Sequence, residues 1–215
     1  MTLPQEALAA PDSNRSANNA DPLDPNDLIC PAARIFDDAR VLEQIDEAIG
    51  DASTSQEIRS AAVQVLQDGQ KNGRDTIEAA VDEDPWAARK LVHSYAWLTD
   101  KLVTTALKVT LKYMHPQYGS TTSERLSVIA VGGYGRAEMA PHSDVDLLFL
   151  LPYKVTGKSE SIVETILYML WDLRLKVGHS TRTIRDCLRL GREDYTIRTA
   201  LLEHRPLAGD PDLAK

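Results

Sequence analysis

Two short apolar runs separated by a glycine-rich turn constrain the fold of this chain more than any other feature. The first run is LSVIAV at 126–131, and the second is VDLLFLL at 145–151. Both are rich in β-branched or leucine side chains and are bounded by Gly, Pro, Ser or Asp, which is the pattern of short strands. The sequence therefore predicts two adjacent, buried strands.

A longer segment with helical periodicity precedes these strands. From 32 to 116 apolar residues such as Ile58 and Ala62 recur at steps of three and four, which is the spacing of one face of an amphipathic helix. Pro85 is predicted to start a further helix, because proline suits the first helical turn, with Trp86 on the inner face. We interpret the apolar stripes as core faces rather than binding grooves.

Helix and strand patterns alternate after the second apolar run. Residues 159–175 predict a helix that is closed by Gly178 and contains Trp171 as a core residue. HSTRT at 179–183 predicts a third strand, and two short helices are expected around 184–204. The predicted fold class is α+β, a helical N-terminal region followed by a small sheet with flanking helices.

The beginning of the chain has the composition of a disordered segment. Residues 1–31 hold five of the eleven prolines and the polar stretch AAPDSNRSANNADPLDPND. Such a stretch has too few large apolar side chains to offset the entropy of ordering it. The predicted organisation is a disordered leader at 1–31, a helical region at 32–116 and the domain that contains the sheet at 117–215.

Charge and composition exclude several classes of protein. The formal net charge of -8 and the pI near 5.1 argue against a surface built to bind nucleic acid. No apolar run approaches the roughly 18 residues of a membrane helix, and the N-terminus lacks the pattern of a signal peptide. A cytoplasmic protein with neither a nucleic acid nor a membrane as partner is expected. Cys30 and Cys187 have no CxxC or His spacing and predict reduced thiols.

Asp144 and Asp146, at the head of the second apolar run, are the candidate catalytic residues and metal ligands. At positions i and i+2 of a strand, their side chains project from the same face. Burying two like charges without a partner is costly, and a divalent cation would remove that cost. Mg²⁺ prefers a few carboxylate oxygens completed by substrate phosphates and water. The sequence therefore predicts Mg²⁺ as the cofactor, against the alternative of two surface aspartates in a structural turn.

The turn before the aspartates is the candidate nucleotide-binding segment. Gly132 and Gly133 lack side chains, so their backbone N–H groups can approach phosphate oxygens, and Arg136 and Ser143 can add contacts to a triphosphate. A dinucleotide fingerprint fails because Glu138 stands where the third glycine belongs, and a Walker loop fails because no Gly-Lys-Ser/Thr follows. The combination predicts a phosphoryl-type transfer in which two cations activate a hydroxyl and stabilise departing pyrophosphate.

The glycine pair followed by Asp-x-Asp on the next strand resembles the signature of the nucleotidyltransferase superfamily that includes polymerase beta. Within that superfamily, the chain closely resembles the amino-terminal catalytic domain of the protein-PII uridylyltransferase/uridylyl-removing enzymes. The resemblance covers roughly residues 85–213 and rests on three ordered blocks: GGYGRAEMAPHSDVDLLFL, LYMLWDLRLKVGHSTRT and EDYTIRTALLEHRPLAGD.

This resemblance implies a specific function. Members of the family transfer UMP from UTP to a tyrosine hydroxyl of the PII signalling protein, with Mg²⁺, in nitrogen regulation. By resemblance, Asp144 and Asp146 are metal ligands, and Gly132, Gly133 and Arg136 help to hold UTP, whereas Ser143 rests on the physical argument alone. Two alternatives stay open, an adenylyltransferase of the same superfamily and a catalytically inactive nucleotide-binding or regulatory module.

The sequence departs from the family pattern in two ways. Polymerase-beta-like sites usually take a third carboxylate from a later strand, but KVGHSTRT carries none, and Asp172, Asp186 and Asp194 are equivalent candidates. The family is several times longer and continues into a His-Asp hydrolase domain and two glutamine-sensing domains, whereas this sequence has no His-Asp dipeptide. We therefore expect a C-terminally truncated chain without uridylyl removal or glutamine sensing.

Overall fold

The fold is described by a computed structural model that covers residues 23–118 and 124–214. The first part is helical and contains α1 (Ala32–Ile35), α2 (Asp38–Ile49), α3 (Ser55–Glu83) and α4 (Ala88–Val109), the last extended by a π-helical turn at Thr110–Met114. The second part contains β1 (Ser127–Ala130), α5 (Gly132–Gly135), β2 (Val145–Leu151), α6 (Gly157–Asp172), β3 (Val177–Thr183), α7 (Ile184–Glu193), α8 (Tyr195–Leu202) and β4 (Arg205–Gly209). The predicted α+β class is confirmed.

The two long helices begin in different ways. Thr54 and Glu57 form a capping box at the start of α3, in which each side chain accepts a hydrogen bond from the other residue's backbone N–H. The prediction that the next helix starts at Pro85 is wrong. The Ala87 N–H donates to the carbonyl of Asp84 at 3.2 Å and closes a turn, so α4 begins only at Ala88. Trp86 lies in this turn and is 93% exposed, not part of an inner face.

Part of the predicted disordered leader is ordered. Leu23 and Leu28 are buried in the core, and Pro25–Asp27 forms a 3₁₀ turn in which the Asp24 side chain accepts a hydrogen bond from the Asn26 N–H. Burial of the two leucines offsets the entropy of ordering this short stretch. The prediction of disorder is therefore wrong for residues 23–31, and its remainder, residues 1–22, lies outside the described residues.

The four strands form one mixed sheet in the order β3-β2-β1-β4. Strand β1 pairs antiparallel with both β2 and β4, and β2 pairs parallel with β3. The predicted pairing of the two apolar runs is confirmed, as are the third strand and the two short helices after it. Strand β4 was not predicted, because the proline and glycine of RPLAG are typical of loops and are tolerated here only at the sheet edge.

The two faces of β2 have different surroundings. Val145, Leu147, Phe149 and Leu151 belong to the main core with the helices, whereas Leu148 and its neighbours Leu150 and Ile129 form a smaller cluster with Leu213 and Ala214. Side chains alternate between the faces of a strand. Asp146 therefore lies on the sheet face that is turned away from the main core.

Helix α6 packs against the sheet but differs from its prediction at its end. It stops at Asp172, and Gly178 does not close it but lies in β3, opposite Asp146. Trp171, predicted to be core, is 44% exposed and stacks edge-to-face on Tyr168 at 5.6 Å between ring centroids. The apolar face of the helix is supplied instead by residues such as Leu170, one position earlier and therefore about 100° away around the helix.

Two features bear on the class of protein. Within residues 23–118 and 124–214, every helix is too short or too polar to traverse a bilayer, including the long α3 and α4. Cys30 and Cys187 are free thiols, and burial raises the pKa of both above the ordinary value. Raised thiol pKa values disfavour the reactive thiolate, which agrees with the predicted role of ordinary reduced cysteines.

Candidate active site

The two candidate metal ligands lie at the beginning of β2. Asp146 is the second residue of the strand and Asp144 precedes it, and both are solvent-accessible. Partial burial and then the neighbouring charge of Asp144 raise the pKa of Asp146 above the ordinary carboxyl value. In the described part of the chain, neither carboxylate forms a hydrogen bond or a salt bridge. The pair therefore keeps its oxygen atoms available for a cation.

A glycine in the neighbouring strand leaves room for the Asp146 carboxylate. Gly178 of β3 lies directly across from Asp146 in the parallel register, and a Cβ atom at Gly178 would overlap Oδ1 of Asp146. A Cβ atom at Gly132 would stand 3.7 Å from Oδ2. A glycine inside a strand often marks such a close approach, but sequence reasoning assigned Gly178 to a helix end and missed this role.

The glycine turn is tied to the same end of β2. The Val131 N–H donates to the Asp146 carbonyl at 3.1 Å, and the chain then enters α5, a single helical turn. Gly132 has φ of +61°, a left-handed conformation that strains residues with a side chain. Gly135 lies against the carbonyl of Glu203, where a Cβ atom would collide with backbone. The structure thus brings the predicted glycines and the predicted carboxylates together.

Arg136, a predicted nucleotide contact, is paired with two carboxylates. Its Nε lies 2.9 Å from Glu138 and its Nη1 lies 2.7 Å from Glu203, at the end of α8. The hydrogen bond that Arg136 donates to the Glu138 carboxylate is the largest influence that raises the pKa of the guanidinium. The side chain lies beside Gly133, where a Cβ atom would be 3.7 Å from Nη2. A phosphate would share or displace these acidic partners, which sequence reasoning did not identify.

Ser143 shapes the turn that leads into β2. Its Oγ accepts a hydrogen bond from the Ala140 N–H at 2.9 Å, and its own N–H donates to the Ala140 carbonyl at 3.1 Å. His142, inside this turn, has φ of +65°. The hydroxyl proton of Ser143 is not used in these bonds, so its predicted contact with a triphosphate stays a prediction.

The three candidates for a third carboxylate have other roles. Asp172 pairs with Arg59 at 3.4 Å, Asp186 caps the first turn of α7, and Asp194 caps α8 by accepting from two N–H groups. Residues 23–118 and 124–214 contain no group of three or more His, Cys, Asp or Glu side chains that could hold a metal ion. Asp144 and Asp146 by themselves fit Mg²⁺, which completes its shell with water and substrate phosphates.

A buried arginine fastens the glycine turn to the helical region. Arg205 of β4 is 3% exposed, and its guanidinium forms a two-pronged ion pair with Asp100 of α4, at 2.5 and 3.0 Å. The same guanidinium donates to the carbonyls of Tyr134 and Gly135, at 3.2 and 3.3 Å. Burial raises the pKa of Asp100, and the Arg205 charge opposes that rise. This network holds the glycine turn against α4, and no sequence pattern indicated it.

Several known proteins have sequences similar to that of this chain. A family model described as glutamate-ammonia ligase adenylyltransferase matches residues 31–175. Relatives named bifunctional uridylyltransferase/uridylyl-removing enzyme are 54% identical over 181 residues in Ruegeria pomeroyi, 52% over 189 in Cereibacter sphaeroides and 42% over 183 in Erythrobacter litoralis. These matches cover 84%, 87% and 85% of this chain but 20% of each relative. The chain thus spans about a fifth of the length of the curated relatives it matches.

Proposed function

Because the chain belongs to the glutamate-ammonia ligase adenylyltransferase family of nucleotidyltransferases, we propose that it transfers a nucleotidyl group to a hydroxyl at the site formed by Asp144 and Asp146. One observation carries this proposal: two neighbouring carboxylates, which have no protein partner within residues 23–118 and 124–214, stand beside the glycine turn, where a Cβ atom added at Gly132 would be 3.7 Å from Oδ2 of Asp146. Both carboxylates reach solvent, so hydration also stabilises them, but a purely structural turn would not explain why Gly178 leaves space for the Asp146 carboxylate in the neighbouring strand.

In this proposal, Asp144 and Asp146 are the ligands of Mg²⁺. Bound there, Mg²⁺ would offset the charge of the triphosphate and favour ionisation of the acceptor hydroxyl. Gly178 keeps the space beside the Asp146 carboxylate open, so the carboxylate need not move to receive the cation. A second cation, as in two-metal enzymes, would depend on further oxygen ligands, which the phosphates of the nucleotide can supply.

The glycine turn is the proposed holder of the triphosphate. Gly132 and Gly133 open α5, where backbone N–H groups have no acceptor within the helix and can donate to phosphate oxygens. Arg136 would contribute a charge-assisted hydrogen bond after exchanging one of its acidic partners for a phosphate oxygen. Ser143 would donate its hydroxyl proton from the turn before Asp144. These contacts would orient the α-phosphate towards the carboxylates.

We further propose that the nucleotide is UTP and that the acceptor is a tyrosine hydroxyl of the PII signalling protein, in the cytoplasm and in nitrogen regulation. The names of the relatives support uridylyl transfer, and the acceptor rests on the resemblance of the three sequence blocks. An adenylyl group is the alternative that the family description supports. The two are separated by competition between UTP and ATP for the same site.

The direct test is Mg²⁺-dependent transfer of labelled UMP from UTP to purified PII. We expect labelling by the wild-type chain and its loss in Asp144→Asn/Asp146→Asn. Asp172→Asn is the matched control, because it also removes one carboxylate but lies in a surface ion pair with Arg59. Labelling of PII by the double variant at the wild-type rate would contradict the assignment of the two carboxylates.

A nucleotide-binding module without catalysis is the second candidate function. It is favoured by the lack of a third carboxylate near Asp144 and Asp146 in the described ranges. Calorimetry with UTP and Mg²⁺, paired with a pyrophosphate assay in the presence of PII, separates the two functions. Binding that releases no pyrophosphate over a long incubation would support the module, and pyrophosphate release that depends on PII would support the transferase.

A further inference from the structure

The helix pair α7 and α8 packs on the sheet face that carries Asp146 but leaves apolar side chains uncovered. Cys187 of α7 and Leu201 of α8 pack against the smaller apolar cluster of that face, yet neither helix contains a fully buried residue. Nine large hydrophobic side chains are exposed in the described part of the chain, and four of them lie in this short pair: Ile184, Leu188, Tyr195 and Leu202. Apolar side chains that are exposed together, unlike single scattered ones, mark an interaction surface.

The same segment is basic, although the protein as a whole is acidic. Residues 174–198 contain seven Lys or Arg and three Asp or Glu, whereas the rest of the chain contains 17 and 29. On α7, Arg185, Arg189 and Arg192 follow one another at steps of four and three, so they lie on one side of the helix. Arg185 and Arg192 form no ion pair within residues 23–118 and 124–214, and Arg189 pairs only with acidic side chains of its own helix. The fold therefore leaves most of this positive charge without a partner.

The apolar side chains of α7 run alongside its arginines. Ile184 is 40% exposed and Leu188 is 61% exposed, and residues four positions apart lie on the same side of a helix. Each is followed by an arginine at the next position, Arg185 and Arg189. A ridge of side chains at steps of four is the surface against which another helix packs, and guanidinium groups pair readily with carboxylates. The exposed face of α7 thus complements a helix that has an apolar stripe bordered by acidic residues.

An anionic membrane would offer the same negative charge but fits this face less well. A helix that lies in a membrane interface inserts a wide apolar face below the headgroups. Helix α7 exposes two large apolar side chains, Ile184 and Leu188, and it also carries the carboxylates of Asp186 and Glu193, which an anionic surface would repel. A protein partner can place its own charges to avoid that repulsion.

From this surface, we propose that α7 is the docking site for an acidic amphipathic helix of a protein partner. The apolar stripe of the partner helix lies against Ile184 and Leu188, and its carboxylates pair with Arg185 and Arg192. The proposal does not depend on nucleotidyl transfer, because α7 contributes none of the residues assigned to the nucleotide or the metal. Failure of one proposal would therefore leave the other in place.

The test titrates a fluorescein-labelled peptide with the whole chain and follows the fluorescence anisotropy of the label. The peptide has about twelve residues, enough for a helix of about 18 Å beside α7, with leucine at every third or fourth position and glutamate or alanine elsewhere. We expect a dissociation constant on the order of 100 μM, because so short a helix covers less area than a standard interface. An increase in salt from about 0.05 M to about 0.5 M should weaken binding at least fivefold, since exposed charges are screened.

Variants of α7 assign the binding to its exposed face. Arg185→Gln/Arg192→Gln should weaken binding of the peptide at least fivefold, and Leu188→Ser should weaken it severalfold. Arg34→Gln/Arg40→Gln is the matched control, because it removes the same charge from two exposed arginines of α1 and α2 that form no ion pair in the described ranges. Circular dichroism checks that each variant keeps its helix content.

Four outcomes would overturn the proposal. One is no rise in anisotropy with the wild-type chain at up to about 1 mM, well above the expected constant. Another is equal binding by the wild-type chain and Arg185→Gln/Arg192→Gln, or equal binding of a peptide with lysine in place of glutamate. The third is co-sedimentation of the chain with phosphatidylserine vesicles that Leu188→Ser abolishes, which would assign α7 to a membrane. The fourth is self-association in sedimentation velocity that the double arginine variant abolishes, which would place a second copy of the chain on α7.

Discussion

The buried ion pair between Asp100 and Arg205 permits a quantitative test of how the glycine turn is held in place. We predict that Asp100→Leu lowers the free energy of unfolding by about 3 kcal/mol, since removal of one partner of a buried pair usually costs about 3–5 kcal/mol. The guanidinium would lose two charge-assisted hydrogen bonds, at 2.5 and 3.0 Å. It would keep its bonds to the carbonyls of Tyr134 and Gly135, so we place the loss at the low end of that range.

The second arm of this test is the double variant Asp100→Leu/Arg205→Met. It removes the uncompensated charge together with its partner, and buried pairs replaced by apolar side chains of similar size are often neutral or stabilising. We expect the double variant to recover at least about half of the free energy of unfolding that the single variant loses. The recovery should be incomplete, because the carbonyls of the glycine turn still lose their donor. The pair would then act mainly by avoiding an unpaired buried charge.

Urea denaturation followed by circular dichroism measures these free energies of unfolding. Asp38→Asn is the control, because it breaks the neighbouring ion pair with Lys101, whose side chains are 36% and 21% exposed, and should cost less than about 1 kcal/mol. A loss below about 1 kcal/mol for Asp100→Leu would refute the reasoning, since the pair would then behave like a surface pair. A double variant that is less stable than the single variant would refute it as well.

Three further predictions test the site and its surroundings. Gly178→Ala should weaken Mg²⁺ binding, measured by calorimetry, at least tenfold with little change in melting temperature, because the new Cβ atom would displace the flexible Asp146 carboxylate opposite it. Gly157→Ala is the control and should have no effect, because a Cβ atom there meets no atom within 4 Å. Equal Mg²⁺ binding by the two variants would contradict the prediction. Glu203→Gln should raise UTP affinity by about twofold to fivefold, since it frees Arg136 from a partly exposed ion pair. Weaker UTP binding by this variant would contradict the prediction. Asp210→Asn should reduce the loss of thermal stability on acidification, because the hydrogen bond from Arg125 holds the pKa of Asp210 at about 2, below its ordinary 3.8. The stability that this lowered pKa contributes is present above pH 3.8 and is lost as the pH falls towards 2. Identical profiles of melting temperature against pH for the variant and the wild-type chain would contradict the prediction.

The sequence alone determined those features that depend on residues close together in the chain. The alternation of apolar runs and turns identified β1, β2 and β3, and three-residue and four-residue spacing identified the helices. The Asp144 and Asp146 pair could be singled out because two carboxylates one residue apart at the head of an apolar strand project from the same face, although both reach solvent in the structure. Such patterns are local, and a local pattern is legible without knowledge of the fold.

Helix ends and exposure were less accurately predicted. Trp86 and Trp171 were assigned to apolar faces because of their hydrophobicity, but they are 93% and 44% exposed. Leu23 and Leu28 were placed in a disordered segment because the surrounding residues are polar, but they are buried. In each case, the outcome depends on whether another element is present to cover the side chain, which hydrophobicity alone does not specify.

Only the tertiary structure decided which distant residues complete the site. Arg205 and Asp100 are 105 positions apart and meet through their ion pair, Glu203 reaches Arg136 from the end of α8, and Gly178 makes room for Asp146 because β3 pairs in one particular register with β2. The free energy of these contacts arises from charges and shapes that come together only after the chain folds. No periodicity in the sequence records them, since each depends on how whole elements pack against one another.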